Sequence, residues 1–393
     1  MTFHKIKKTA IALLSAALLA TAAPALAAPA AAAAQKQEQL VLHITYNGFE
    51  RTLSYPLLIT PGRVWMGVYD LGDAVQDYRR EVDDKSGTVI FTSPWRRIEL
   101  HVGSKTADIN GNKISLSAAP LRKHGIIYLP VQVLTKLMNQ GVQWDTKQSR
   151  LTVRTETRVL SVGGADSWFW VDKLYGNIYK AKPKQHAVKI ARTTKDLRYA
   201  SELQIDILGN DKHLLRMMDG YAEPHIITKL LVNQNQLVHE AKVQYKEKWY
   251  VPGIERAGED LLMINGRKLA VVSPEGFVSA EYNMQELGGA DEDYVVEALY
   301  DDALLLRTYS SRTLRLIDLN TKKKYLLGQE LLSEEEQKAI ESSNAYGYGF
   351  QGDQLTLTGR KGDQFTFKHR SLLAPFDEST LTFTLPRESA ADS

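Results

Sequence analysis

The chain of 393 residues contains no cysteine. That excludes disulfide staples, thiolate metal sites, a cysteine nucleophile and lipid attachment through an N-terminal cysteine. It also lacks a dominant charge, with 49 Lys+Arg against 46 Asp+Glu. The small excess is local: Lys5, Lys7 and Lys8 precede every acidic residue, so beyond residue 27 the chain carries 46 of each sign and is formally neutral. A neutral chain without a Lys/Arg block offers no electrostatic basis for binding nucleic acid or an anionic membrane surface. Beyond residue 27 there is also no apolar run approaching the roughly 20 residues of a transmembrane helix, so the mature chain is expected to have no transmembrane segment.

What is present begins with an export signal. The three lysines are followed by an Ala/Leu/Ile core over residues 9–23, then Pro24 and the small-x-small sequence Ala25-Leu26-Ala27. A core of that length, a breaker and a small-residue cleavage pattern predict a signal peptide over 1–27, cut after Ala27. Residues 28–39 (APAAAAAQKQEQ) have neither apolar bulk nor periodicity and predict a flexible spacer. An exported chain without disulfides must be held by burial alone, which the remaining length can supply across about two domains.

From residue 40 the pattern becomes that of short strands. Alternation over 40–46, the turn dipeptide Asn47-Gly48 and a return over 50–57 predict a hairpin. Asn110-Gly111 predicts a second turn, between a strand over 98–109 and one over 114–116. The segment GRVWMGVYDLGDAV from Gly62 superimposes on GIIYLPVQVLTKLM from Gly125 at an offset of 63, placing Trp65 on Tyr128 and Val68 on Val131. After a one-residue slip, VDDKSGTVIF from Val82 lies over WDTKQSRLTV from Trp144. Val131, Leu134 and Met138 share a helical spacing behind Pro130, with Gly141 as the expected stop, and Val68, Leu71 and Val75 repeat that face. Two related units follow, each of antiparallel strands with one short helix.

These residues carry a resemblance. Val102-Gly103-Ser104, the Asn110-Gly111 hairpin, the Gly125-to-Pro130 entry and Trp144-Asp145 before a last strand resemble the copper amine oxidase N-terminal-like, or stalk, domain over about 40–155. The first unit departs from the family pattern by having Gly67 where the family has Pro. The resemblance implies an accessory domain that spaces, presents or attaches a partner domain. It does not carry amine oxidase chemistry with it: no His-x-His pair exists, Tyr282-Asn283 runs in reverse of the quinone-forming order, and the chain is too short for the catalytic domain. No cofactor and no metal site are therefore expected.

Residues 157–386 read as short strands separated by Gly, Asn and Asp turns. Comparable strands starting at Ile178, Leu269, Leu314 and Phe365 fit a period near 45 if an ill-defined unit fills the first gap, which is blade-sized. The predicted fold class is mainly β, with two small α+β stalk-like units followed by a propeller-like β-repeat domain of about five units. The last strand, over 380–385, is expected to close the ring; a β-sandwich is the competing reading. Ser333 and Glu336 form a capping box at the head of an inserted helix whose Glu run is read as solvated. The Gly-x-Gly-x-x-Gly from Gly347 follows a helix and opens a strand, so its glycines read as turn and packing residues rather than a dinucleotide fingerprint. Residues 387–393 read as a disordered tail.

No hydrolase elbow, phosphate loop or zinc helix is present, and no catalytic or cofactor-binding residue is assigned. The one candidate ligand surface is aromatic, at Trp168, Trp170 and Tyr175. The function expected is that of a secreted, non-catalytic binding or structural protein with a cell-wall glycan or another envelope protein as partner. The competing expectation is an extracellular carbohydrate-active hydrolase using acids such as Asp301-Asp302 or Asp291-Glu292-Asp293.

Overall fold

The computed structural model describes residues 43–46, 49–60, 62–145, 150–155, 157–164, 166–219, 225–245, 252–343 and 352–387. The signal peptide, the spacer, the Asn47-Gly48 turn, positions 347–351 of the glycine motif and all but Arg387 of the tail lie outside them. Among the described residues no helix is long and apolar enough to cross a membrane.

The first part of the chain is built from hairpins. β1 (His43–Tyr46) and β2 (Phe49–Thr52) pair antiparallel, as do β3 (Leu58–Thr60) and β4 (Arg63–Gly67). Helix α1 (Val68–Asp73) then leads to β5 (Arg79–Asp83) and β6 (Thr88–Thr92). After a connecting strand, β7 (Arg97–His101), the series repeats: β8 (Thr106–Ile109) with β9 (Asn112–Ser115), β10 (Leu121–Lys123) with β11 (Ile126–Pro130), one helical turn at Val133–Leu137, then β12 (Gly141–Asp145) with β13 (Arg150–Arg154). The first two hairpins recur 63 residues on (His43 against Thr106, Leu58 against Leu121) and the last 62 residues on (Arg79 against Gly141).

The two units interlock. β4 pairs antiparallel with β11, with Met66 opposite Leu129, so the middle hairpins make one sheet in the order β10-β11-β4-β3. The first hairpin of each unit joins the last hairpin of the other. β1 runs parallel to β13 in the sheet β12-β13-β1-β2, while β8 reaches β6 through β7 in the sheet β5-β6-β7-β8-β9. One core results, in which Met66, Val68, Leu71, Phe91, Ile98, Leu129, Leu134 and Val153 lie together. Neither unit has a separate core to fold around.

Two local expectations are corrected. Residues 98–109 form two strands, β7 and β8, because Gly103 turns the chain at φ +83. Pro130 ends β11 rather than opening the helix; β10 pairs only as far as Leu121 opposite Tyr128, so the missing proline N–H costs no ladder bond. The following turn is π-type, with Met138 N–H donating to the Val133 carbonyl at 3.1 Å, and it stops at Asn139 in the left-handed region before Gly141 opens β12.

The remainder is a series of antiparallel sheets made of consecutive strands. The first is β14 (Val159–Gly163), β15 (Trp168–Asp172), β16 (Asn177–Ala181) and β17 (Val188–Arg192). The second is β18 (Glu202–Gly209), β19 (Lys212–Met218), β20 (His225–Asn233) and β21 (Gln236–Tyr245). The third is β22 (Arg256–Ala257), β23 (Asp260–Asn265), β24 (Lys268–Val272) and β25 (Val278–Asn283). The fourth is β26 (Tyr294–Leu299), β27 (Ala303–Thr308), β28 (Leu314–Asp318) and β29 (Lys324–Leu326), and the fifth is β30 (Leu355–Lys361), β31 (Gln364–Arg370) and β32 (Glu378–Thr384). Third strands begin at Asn177, His225, Lys268 and Leu314, steps of 48, 43 and 46 residues. Five up-and-down sheets in sequence are the blade pattern, and β18–β21 fill the gap in the repeat that was ill-defined in the sequence.

Buried side chains join each sheet to the next: Phe169 and Val171 with Leu215 and Leu230, Leu231 with Met263, Leu262 with Leu304, and Leu305 with Phe365. Among the described residues no such cluster joins the fifth sheet to the first. β32 pairs with β31 as the third strand of its own sheet rather than bridging to another, which corrects the expected closure. The helix Glu334–Ser343 has the serine half of the expected capping box, with Glu336 N–H donating to Ser333 Oγ at 3.3 Å. Glu336 itself is not solvated: its carboxylate accepts from Ser371 Oγ at 2.6 Å and lies 3.6 Å from His369 Nε2, tying the helix to the fifth sheet.

Candidate ligand-binding cleft

Alternation along β15 decides where its aromatic residues go. Phe169 and Val171 face the second sheet, while Trp168 and Trp170 face the other way, toward the hairpin domain. Trp170 is fully buried there, and its Nε1–H donates to the backbone carbonyl of Asp77 at 2.9 Å. Ser161 Oγ–H donates to the Gln76 carbonyl at 2.7 Å, and Lys184 N–H to Glu81 Oε1 at 2.8 Å. The segment between α1 and β5 is thus fastened to β14 and β15, and β5 itself to the connection between β16 and β17.

Asp77 is the most constrained residue of the joint. It is 7% exposed; its carboxylate accepts the backbone N–H groups of Arg158 and Val159, and its Oδ1 has no partner. Burial pushes its pKa up to about 6, against the partial opposing pull of those hydrogen bonds and of the Arg158 and Lys173 charges. The folded value lies above the unfolded one of 3.8, so this contribution to stability is complete below pH 3.8 and is lost as pH rises through about 6. At about 1.4 kcal/mol per pH unit the ionised form costs about 3 kcal/mol. Asp77→Asn keeps an acceptor without the charge. It should therefore gain up to about 3 kcal/mol over the native chain at pH 8 and little at pH 3.5. Urea unfolding of both proteins at the two pH values measures this, and an equal gain at both would refute the assignment.

Beside this joint lies a cleft of about 540 Å³ between the hairpin domain and the first two sheets. One wall carries Gln76, Arg79 and Arg80, the other Ser161, Trp168, Ser201 and Glu202. Arg80 is held by the Tyr69 carbonyl at 2.7 Å and by Asp73 at 3.3 Å. Arg79 is half-buried, its Nε has no partner, and burial lowers its pKa. Trp168 is half-buried and stands edge-on to Trp170, ring centroids 6.4 Å apart. Gly163 makes room for it, since a Cβ there would come within 2.9 Å of the indole. An open aromatic ring among hydroxyl, amide, carboxylate and guanidinium groups can hold a polyhydroxylated ring by stacking and hydrogen bonding together.

Of the three aromatic residues singled out from the sequence, Trp168 alone lines this cleft. Trp170 supports it from within. Tyr175 lies elsewhere, 59% exposed in the β15–β16 turn, with its N–H bonded to Asp172 Oδ1 and Lys173, Arg192 and Lys195 around it. Sequence reasoning missed Arg79 and Glu202, because nothing in the sequence says that α1–β5 and β18 meet. The acidic runs serve as ties: Asp302 is held by Arg360 at 2.6 and 2.7 Å and by Arg387, Asp291 pairs with Arg267 at 2.7 Å, and Glu292 accepts the N–H groups of Ser310 and Ser311. Guanidinium contact holds the Asp302 carboxyl well below the usual range. Among the described residues no three His, Asp or Glu side chains converge as metal ligands would.

The interlocked hairpins coincide with a known domain. Residues 45–153 match the copper amine oxidase N-terminal domain family. Only this accessory domain of the amine oxidases is matched; the catalytic domain is not. No curated protein matches the chain. Solved structures with similarity include a streptogramin B lyase (10% identity, 80% of this chain and 84% of that one, TM-score 0.23). Others are apo AztD from Citrobacter koseri (11%, 70% and 74%, 0.21) and Kluyveromyces lactis Hsv2 (12%, 79% and 99%, 0.21). At those TM-scores the likenesses decide nothing; the blade pattern rests on this chain's own strand order. The part that matches the copper amine oxidase N-terminal domain and the β sheets together make a β-domain protein in which one wall of the cleft comes from each part.

Proposed function

We propose that the protein is exported with cleavage after Ala27 and acts outside the cytoplasm as a non-catalytic binding protein. In this reading residues 40–155 form the copper amine oxidase N-terminal-type domain, which presents a β-repeat domain over 157–386, and the cleft between them holds a glycan of the cell envelope. The observation that carries the proposal is the half-buried ring of Trp168 beside Arg79, Ser161 and Glu202 in a polar cleft. Without a cysteine the chain has no N-terminal lipid attachment, so in this reading it is either released or held at the surface through the glycan it binds.

The test is binding of the full mature chain to purified cell-wall glycan, by pull-down and by calorimetry with soluble fragments. Trp168→Ala is expected to weaken binding at least about tenfold, the loss of one stacking contact of about 1.4 kcal/mol, without changing the unfolding midpoint by more than a few degrees. Failure of the native chain to bind any glycan fraction overturns the envelope assignment. A glycosidase requires two carboxyl groups roughly 5–10 Å apart across the sugar. Release of reducing ends from the same glycan would replace the non-catalytic reading with that one.

A further inference from the structure

The two halves of the hairpin domain have equivalent strands, with an α-helical turn in one and a π-type turn in the other, but differ around one cleft. That cleft, of about 650 Å³, opens beside β3, β4 and β12, with Val64, Val131, Val142 and Trp144 on its walls and Ile59, 48% exposed, at its rim. In the other half the backbone equivalence places Arg122 for Ile59, Tyr55 for Ala118, Tyr69 for Gln132 and Arg80 for Val142. There the rings of Tyr55 and Tyr69 pack with centroids 6.3 Å apart, and the Arg80 guanidinium lies 4.6 Å over Tyr69. Arg122 bonds the Asp84 carbonyl and lies 3.7 Å from its carboxylate, clamping the neighbouring strand edges together. Beneath these fillers Val68 and Ile127 are fully buried, whereas their counterparts Val131 and Val64 are only half-buried.

The closed half therefore shows what the open one has room for: two aromatic rings. A guanidinium guest is disfavoured, because Asp73, which pairs with Arg80 at 3.3 Å, has Lys136 as its counterpart, and Arg63 adds a second cation to the cleft. Among the described residues both flanking strands, β3 and β12, are edges of their sheets, with backbone groups that no described strand pairs. We propose that this cleft takes the aromatic side chains of an extended peptide segment of a partner protein, which adds to a flanking strand edge and seats its rings against Trp144. The site is separate from the glycan cleft and does not depend on it.

The test uses the full mature chain and the probe peptide acetyl-Thr-Tyr-Val-Tyr-Val-amide, read by tryptophan fluorescence and calorimetry. Saturable binding with Kd below about 1 mM is expected, and the peptide with both tyrosines replaced by alanine should bind at least about tenfold more weakly. Filling the cleft as the other half fills it, with Ala118→Tyr and Gln132→Tyr, should weaken the native probe by about tenfold or more; should that pair not fold, Ile59→Arg at the exposed rim makes the same test. Trp168→Ala should leave peptide binding unchanged even where it abolishes glycan binding. No saturation, equal binding of the alanine peptide, or filled variants within about twofold of the native chain would each overturn the proposal. N-acetyltyrosinamide binding as tightly as the peptide would also overturn it, in favour of a small aromatic ligand.

Discussion

Trp170→Ala is expected to lower stability by about 3–5 kcal/mol, the range for truncating a fully buried tryptophan. Three losses coincide at that position. The indole is 0% exposed, so its removal leaves a cavity between the first sheet and the hairpin domain. The edge-on contact with Trp168 at 6.4 Å disappears, and the Asp77 carbonyl loses its donor at 2.9 Å while remaining buried. Trp170→Phe separates these terms: most of the apolar volume stays, the hydrogen bond does not, and the cost should fall to about 1–3 kcal/mol. Urea unfolding followed by tryptophan fluorescence gives both values. The joint is also what couples the two parts of the chain, so Trp170→Ala should split unfolding into two resolved transitions where the native chain shows one. A loss under about 1 kcal/mol would mean that Trp170 does not hold this interface.

A comparable loss, again about 3–5 kcal/mol, is expected for Asp353→Ala between the fourth and fifth sheets. Asp353 is 1% exposed, and its carboxylate accepts from Arg307 Nη1 at 2.9 Å, from Leu355 N–H at 3.1 Å and from Leu314 N–H. Burial works against the Arg307 charge, but Asp353 and Glu297 more than offset it and keep the guanidinium protonated. Alanine at 353 leaves that cation buried with Glu297 as its remaining carboxylate and strands two backbone donors. Gly352, at φ +67, sits where a Cβ would strike the Arg312 carbonyl, which fixes Asp353 against the start of β28. Arg307 also pairs with Glu297, so all three charges must go together: Asp353→Leu with Arg307→Met and Glu297→Gln should recover at least half of the loss. If that triple variant is as unstable as Asp353→Ala, the cost lies in the backbone donors and not in the charge cluster.

Both residues show how far the sequence could be read. Trp170 stood out as an aromatic within a possible ligand surface, and alternation correctly divides β15 into two faces. Alternation cannot say what covers a face, however; the partner of Trp170 is a carbonyl 93 residues earlier in the chain. Asp353 has no such mark, because a lone aspartate after a glycine carries no sequence signature, and its three partners are Arg307, Leu314 and Leu355. Pro130 is ambiguous for a related reason. Proline suits the first turn of a helix and the unpaired end of a strand equally well, and only the length of β10 distinguishes them.

By itself the sequence determined what depends on local order: the hairpins at Asn110-Gly111, the repeat at an offset of 63, the accessory-domain match, the spacing of blade-sized sheets and the capping of the helix after Ser333 by its hydroxyl. These follow from backbone preferences and periodicity within a few residues. The tertiary structure alone decided that the two hairpin units exchange their first hairpins to share one core, and that the last strand stays with its own sheet. It also decided that Trp168 opens onto a polar cleft while Trp170 closes a joint. Each of those outcomes depends on which distant surfaces bury one another, and burial is a property of pairs of surfaces that no single stretch of sequence contains.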